Sequence, residues 1–104
     1  MDTQMKKGIL EMCILFQLKK EPVYGYELMK SVRQVFSDVY EGSIYTILRR
    51  LHKSGYTKVI QKESPNGPPR KYYEITPSGE EYLSLMLEEW SAVVKGVSSL
   101  GIHI

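Results

Sequence analysis

Arg49, Arg50 and Lys53 fall within five residues of one another, and Ser43, Tyr45 and Thr46 precede them by one or two helical turns. These side chains offer cations, hydroxyls and a guanidinium fork, but no general base or nucleophile pair. Arg can grip two acceptors at once, Lys supplies a point charge, and Thr brings a hydroxyl and a methyl. Ser43 is expected to cap a helix there, with the neighbouring first-turn amides suited to a phosphate oxygen. A second set stands in "ESPNGPPRKYYEIT" (63–76), where Arg70 and Lys71 follow the Asn66-Gly67 pair. A connecting turn needs the Asn and the Gly but has no use for the two charges. Both sets fit a polyanion.

The charge distribution agrees. Residues 1–41 carry six acids and six bases, and residues 74–104 carry five acids against Lys95. Residues 42–73 carry seven bases (Arg49, Arg50, Lys53, Lys58, Lys62, Arg70, Lys71) and one acid, Glu63. A block this one-sided suggests a polyanionic partner.

Enzyme chemistry is poorly represented. One cysteine and two distant histidines give no metal cluster of standard spacing, so no metal and no other cofactor is expected. No Ser-His-Asp set, catalytic carboxylate pair or phosphate-cradling glycine loop is evident. Cys13 reads as a core residue. The longest apolar run is five residues, from Met12 to Phe16, far short of a membrane span. With no leader pattern in "MDTQMKK" and no possible internal disulfide, a cytoplasmic protein is expected.

The elements that must position these residues follow from periodicity. Residues 4–18 place Ile9, Met12, Cys13 and Phe16 at helical spacing, with Ile14, Leu15 and Leu18 widening the stripe. Residues 25–36 do the same with Leu28, Met29, Val32, Val35 and Phe36. Residues 43–54 form a third helix, with Ile44, Ile47, Leu48 and Leu51 on one face and Tyr45, Thr46, Arg49, Arg50, His52 and Lys53 away from it. Gly55 suits its C-terminal stop. "YTKVIQKE" and "RKYYEIT" read as strands of a hairpin spanning 57–75, reversing at Asn66-Gly67 through positive φ. Tyr72 and Tyr73 should point one outward and one inward. "TPSGEE" opens a last helix, with Thr76 as cap and Pro77 in the first turn.

Three helices, a hairpin and a helix make an α+β, mainly α, winged helix-turn-helix with a long C-terminal helix. The expected division is a DNA-binding unit over 1–76 and a dimerisation helix over 77–104, packed as one body. In such a fold the start of the third helix meets base edges in the major groove, which assigns Tyr45 and Thr46 to the bases. Arg49 and Arg50 are candidates for guanine, and Lys53 for phosphate. The wing would lie over adjacent phosphates or the minor groove, with Asn66 at its tip and Arg70 and Lys71 as anchors.

The runs "YGYEL" (24–28), "GSIYTILRRLHKSGY" (42–56) and "RKYYEITPSGEEYL" (70–83) resemble the PadR family of transcriptional regulators, over about residues 8–100. The resemblance implies cytoplasmic, dimeric winged helix proteins that usually repress transcription. It implies that the helix at "GSIYTIL" reads double-stranded DNA through Ser43, Tyr45, Thr46, Arg49, Arg50 and Lys53. Many members carry Pro where this chain has Thr46, so base preference does not transfer.

The last helix carries Trp90, Val93, Val94, Val97 and Leu100 beyond what a small winged domain covers. Such a stripe implies a partner, and a second copy of the chain is the simplest. Trp90, Val93, Val97 and Leu100 are the expected dimer interface, spacing two reading helices for a pseudo-palindromic operator. "LEEWSAVVKGVSSL" (87–100) resembles the final helix of the family's small multidrug-sensing repressors. That likeness implies a pore between subunits where a planar aromatic small molecule stacks on Trp90, walled by Met5, Met12 and Val94. A winged module that binds protein without DNA is the alternative, and a small-molecule carrier with a vestigial DNA face a further one.

Overall fold

A computed structural model describes residues 4–104 of the chain, with side chains from Lys6 onward. The elements run α1 (Gln4–Lys20), β1 (Val23–Tyr24), α2 (Gly25–Val35), α3 (Glu41–Lys53), β2 (Thr57–Ser64), β3 (Gly67–Ile75) and α4 (Pro77–Ser99). The fold is mainly helical, a winged helix with a long C-terminal helix. The strands form one antiparallel sheet in the order β1-β3-β2.

The core gathers the apolar faces of all four helices. Leu10, Ile14, Leu15 and Leu18 of α1, Leu28 and Met29 of α2, Ile44, Leu48 and Leu51 of α3, and Leu83 of α4 are its buried members. In α1 the deepest side chains are Leu10 and the residues expected only to widen the stripe, Ile14, Leu15 and Leu18, with Met12 buried beside them. Ile9 and Cys13 are half-buried and Phe16 is exposed, because α1 is apolar on two sides and only one faces the core. Val39, in the polar interval between α2 and α3, is fully buried, and its carbonyl accepts from Arg33 Nε at 2.9 Å.

β1 was not expected. It is two residues long, too short to show alternation, and its extended form comes from pairing Val23 with Tyr73 and Tyr24 with Tyr72. Tyr73 packs on the core with Val23 and Ile75, while Tyr72 lies on the opposite face, as alternation requires.

Two local readings need correction. The N-cap of α3 is Tyr40 rather than Ser43. The amides of Ser43 and Ile44 already donate to the Tyr40 carbonyl, at 3.1 and 3.3 Å, so the helix begins two residues early. The hairpin reverses without positive φ, since among the described residues only Gly55 and Gly101 adopt it. Pro65 and Asn66 form the turn between the paired residues Ser64 and Gly67. Pro65 fixes the first central φ near −65°, which favours an ordinary type I turn over the primed kind. Pro68 and Pro69 then face the single residue Glu63, a bulge in a stretch where proline cannot donate to the ladder.

α3 ends against the start of α4. Gly55 takes φ +83°, and its carbonyl accepts from Thr76 Oγ1 at 2.7 Å and Ser78 Oγ at 2.9 Å. Thr76 also caps α4, accepting from the Gly79 amide at 3.1 Å. A Cβ on Gly79 would stand 2.1 Å from the Tyr56 carbonyl oxygen, so α4 can cross here only as glycine.

Candidate functional site

The outward face of α3 carries Thr46, Arg49 and Lys53 exposed and Ser43 and Tyr45 half-buried. Thr46 Oγ1 donates to the Gly42 carbonyl at 2.8 Å and accepts from Arg49 Nη2 at 3.2 Å. The Arg49 fork is therefore already oriented along the helix face. Tyr45 packs partly on the core; burial, and then the Glu41 carboxylate, push its phenol above the ordinary value. It stays protonated at neutral pH and keeps its hydroxyl hydrogen to donate.

Arg50 departs from expectation. Its guanidinium turns toward α1, where Nε donates to Glu11 Oε1 at 2.9 Å and Nη2 contacts the same oxygen. One helical step separates it from Arg49, and that step of 100° carries it from the solvent face to the α1 side. It does not join the exposed set.

The wing holds the second set. Asn66 is exposed at the tip, and Arg70 and Lys71 are exposed along β3. Lys62 and Arg70 are direct cross-strand partners. Like charges opposite one another oppose hairpin formation. Each instead lies over an aromatic ring: Lys62 4.6 Å from the centre of Tyr72, and Arg70 4.9 Å from that of Tyr24. Tyr24 contacts Tyr72 and Tyr26 at 5.8 and 6.1 Å between centroids, and Lys30 of α2 caps Tyr26 at 5.4 Å. This tyrosine belt was not foreseen; its signal was the Tyr-Gly-Tyr spacing at the start of α2. Between the start of α2, Tyr45 of α3 and the wing lies an open groove of about 340 Å³, lined by Tyr24, Tyr26, Tyr45, Pro69, Arg70, Lys71 and Tyr73. Gly25 lets it close at the base, since a Cβ there would meet the Tyr73 ring at 3.0 Å.

Of the seven cations in the middle block, only two reach a carboxylate among the described residues: Arg50 with Glu11, and Lys58 with Glu74 at 3.6 Å. Among the described residues Arg49, Lys53, Lys62, Arg70 and Lys71 form no ion pair. A folded surface that leaves five cations of α3 and the wing without a carboxylate, two of them lining one groove, is suited to an anion brought from outside.

A second site lies between α1 and α4. A groove of about 290 Å³ is lined by Gly8, Ile9, Met12, Met86, Glu89, Trp90 and Val93. Met12 and Trp90 come together there as expected. Val94 is not in the lining, and Met5 lies outside the described side chains. Ile9, Met86 and Val93 take those places. Trp90 is 41% exposed, and Val93, Val94, Val97 and Leu100 are exposed beyond it. Leu87 is exposed too.

Cys13 is half-buried and its thiol is pushed up by that burial, which disfavours the reactive thiolate. Among the described residues no helix is long and apolar enough to cross a membrane, and no three His, Cys, Asp or Glu side chains converge as a metal site.

Residues 14–85 match the model of a family described as Transcriptional regulator PadR-like family. The chain is similar to the crystal structure of a PadR-like transcriptional regulator from Bacillus cereus, with 42% identity and a TM-score of 0.84, covering 98% of this chain and all of that one. A Streptococcus transcriptional regulator superposes with a TM-score of 0.88 at 33% identity, over 97% of this chain and all of the other. An uncharacterized protein of Lysinibacillus sphaericus is 30% identical over 90 residues, 84% of this chain and 83% of its own length.

Proposed function

Because this chain belongs to the PadR-like family of transcriptional regulators, we propose that it is a cytoplasmic homodimeric repressor that binds a pseudo-palindromic DNA operator. One observation carries the reading: among the described residues five cations of α3 and the wing reach no carboxylate, Arg70 and Lys71 lining the groove beside the wing and Lys62 standing opposite Arg70 despite their repulsion. Ser43, Tyr45, Thr46, Arg49 and Lys53 would face the major groove. Asn66, Arg70 and Lys71 would lie along the flanking backbone. The amides of Glu41 and Gly42, ahead of the first helical bonds, would take the phosphate place expected of Ser43. The Trp90 stripe would pair α4 with its copy.

Selection of duplexes from a random pool is the direct test. A bound consensus with two related half-sites, about one helical turn apart, is expected. A chain that retains no duplex at low salt is instead a protein-binding module.

The groove beside Trp90 would take a planar aromatic compound, releasing the operator through a shift between two spacings of the reading helices. Its walls are two methionines, Ile9 and Val93 around one indole, a lining that adapts to flat apolar shapes. A panel of flat aromatic dyes should quench the emission of the single tryptophan and weaken the protein–duplex complex. Unchanged emission across the panel would remove ligand control while leaving DNA binding intact.

A further inference from the structure

We propose that Glu11 of α1 is a positioning residue for the reading helix, fixing α3 on the α1–α4 pair without itself meeting DNA. The inference rests on the reading of α3 given above. One carboxylate joins three elements here. Oε1 takes both contacts from Arg50 of α3, and Oε2 accepts from the Tyr82 hydroxyl of α4 at 3.4 Å. The Glu11 side chain is only 13% exposed, so this clamp is drier than a surface pair. Tyr82 stacks flat on Tyr56, just past α3, with centroids 4.2 Å apart and planes 8° from parallel. Burial, and then the charge of Glu11, push the Tyr82 phenol up, so it remains a donor to the carboxylate.

The charge of Glu11 runs against plain attraction to DNA. It cancels one cation on the helix that needs cations most. Orientation accounts for that cost. With Arg50 held, α3 cannot roll about its axis, and Thr46, Arg49 and Lys53 keep a fixed direction. Meanwhile Gly8, Ile9 and Met12 of the same helix line the groove beside Trp90. α1 therefore touches the groove on one side and grips α3 on the next. Lys6 supplies a second tie, reaching Asp38 in the turn before α3 at 2.7 Å.

Two measurements on the full chain test the clamp. The first uses no DNA. Amide hydrogen exchange in residues 44–53 should speed up by about tenfold in Glu11→Gln, since loosening one packed element lowers its local opening energy. Tyr82→Phe, which loses one hydroxyl and keeps the ring stack, should shift the same amides in the same direction by less. Unchanged exchange in α3 overturns the proposal whatever the DNA result.

The second measurement compares a duplex selected by the wild type with a scrambled one. Glu11→Gln and Arg50→Met should each cut the ratio of the two affinities by about tenfold, and the double variant no further. That loss would occur although Glu11→Gln makes the protein more cationic. Equal tightening on both duplexes would instead make Glu11 a counter-charge and overturn its positioning role. A wild type that binds neither duplex would defeat the reading of α3, and the exchange result would still decide the clamp.

Discussion

Replacing Val93 and Val97 together by aspartate yields a folded single subunit whose affinity for the selected duplex falls by about 10²–10⁴-fold, the factor that linking two binding modules contributes. Of the 23 residues of α4, only Gly79 and Leu83 are buried. Trp90, Val93, Val94, Val97 and Leu100 are all exposed, recurring at three and four residues along one side. Covering such a side chain contributes about 1–2 kcal/mol. Five from each subunit can exceed the roughly 4–15 kcal/mol that association costs. Two aspartates per subunit would leave unpaired charges in that contact, which is far costlier than a lost methyl. The domain itself should survive, because neither valine belongs to the core. Sedimentation gives the subunit count and a thermal melt followed by circular dichroism gives the fold. A double variant that remains dimeric would move the interface elsewhere. A monomer that keeps full duplex affinity would show that each subunit binds alone.

What could be read from the sequence was what periodicity and turn chemistry control. α2 and α3 each bury one stripe, so Leu28 and Val32, and Ile44 and Leu48, announced their faces. α1 did so only in part, through Ile14, Leu15 and Leu18, because it is wedged between the core and the Trp90 groove and is apolar toward both. β1 is a product of tertiary pairing, with no local signal beyond Tyr24 itself. The turn misled for a local reason: Asn66-Gly67 suggests positive φ, but Pro65 comes first and moves the reversal one residue earlier. At the site, exposed cations were legible as types and spacing. Arg50 was not, since its partner Glu11 lies 39 residues away and nothing in the third helix separates it from Arg49. The stacking of Lys62 and Arg70 on tyrosines needed the sheet register, which one extra residue at the wing bulge resets.

Raising salt from about 50 to about 200 mM should weaken the duplex complex by about 10³–10⁵-fold, the loss associated with six to ten phosphate contacts. Five cations per subunit reach no carboxylate among the described residues, so a pair of subunits would present roughly ten to the phosphates. The five should not behave alike. Lys71 is exposed on β3 beside the groove, with a flexible stem and, among the described residues, no hydrogen bond fixing its direction. Lys71→Ala should therefore weaken every duplex by a similar factor and flatten the logarithmic salt slope by about one for each subunit. Arg49 differs because its fork is aimed: Thr46 Oγ1 holds Nη2 at 3.2 Å and is itself anchored on the Gly42 carbonyl. Arg49→Ala should cost about 1–3 kcal/mol on the selected duplex and much less on a scrambled one. Anisotropy titrations of both variants on both duplexes, each across a salt series, separate the two roles. If the variants lose the same factor on the selected and scrambled duplexes, α3 grips backbone only and its outward face does not read bases.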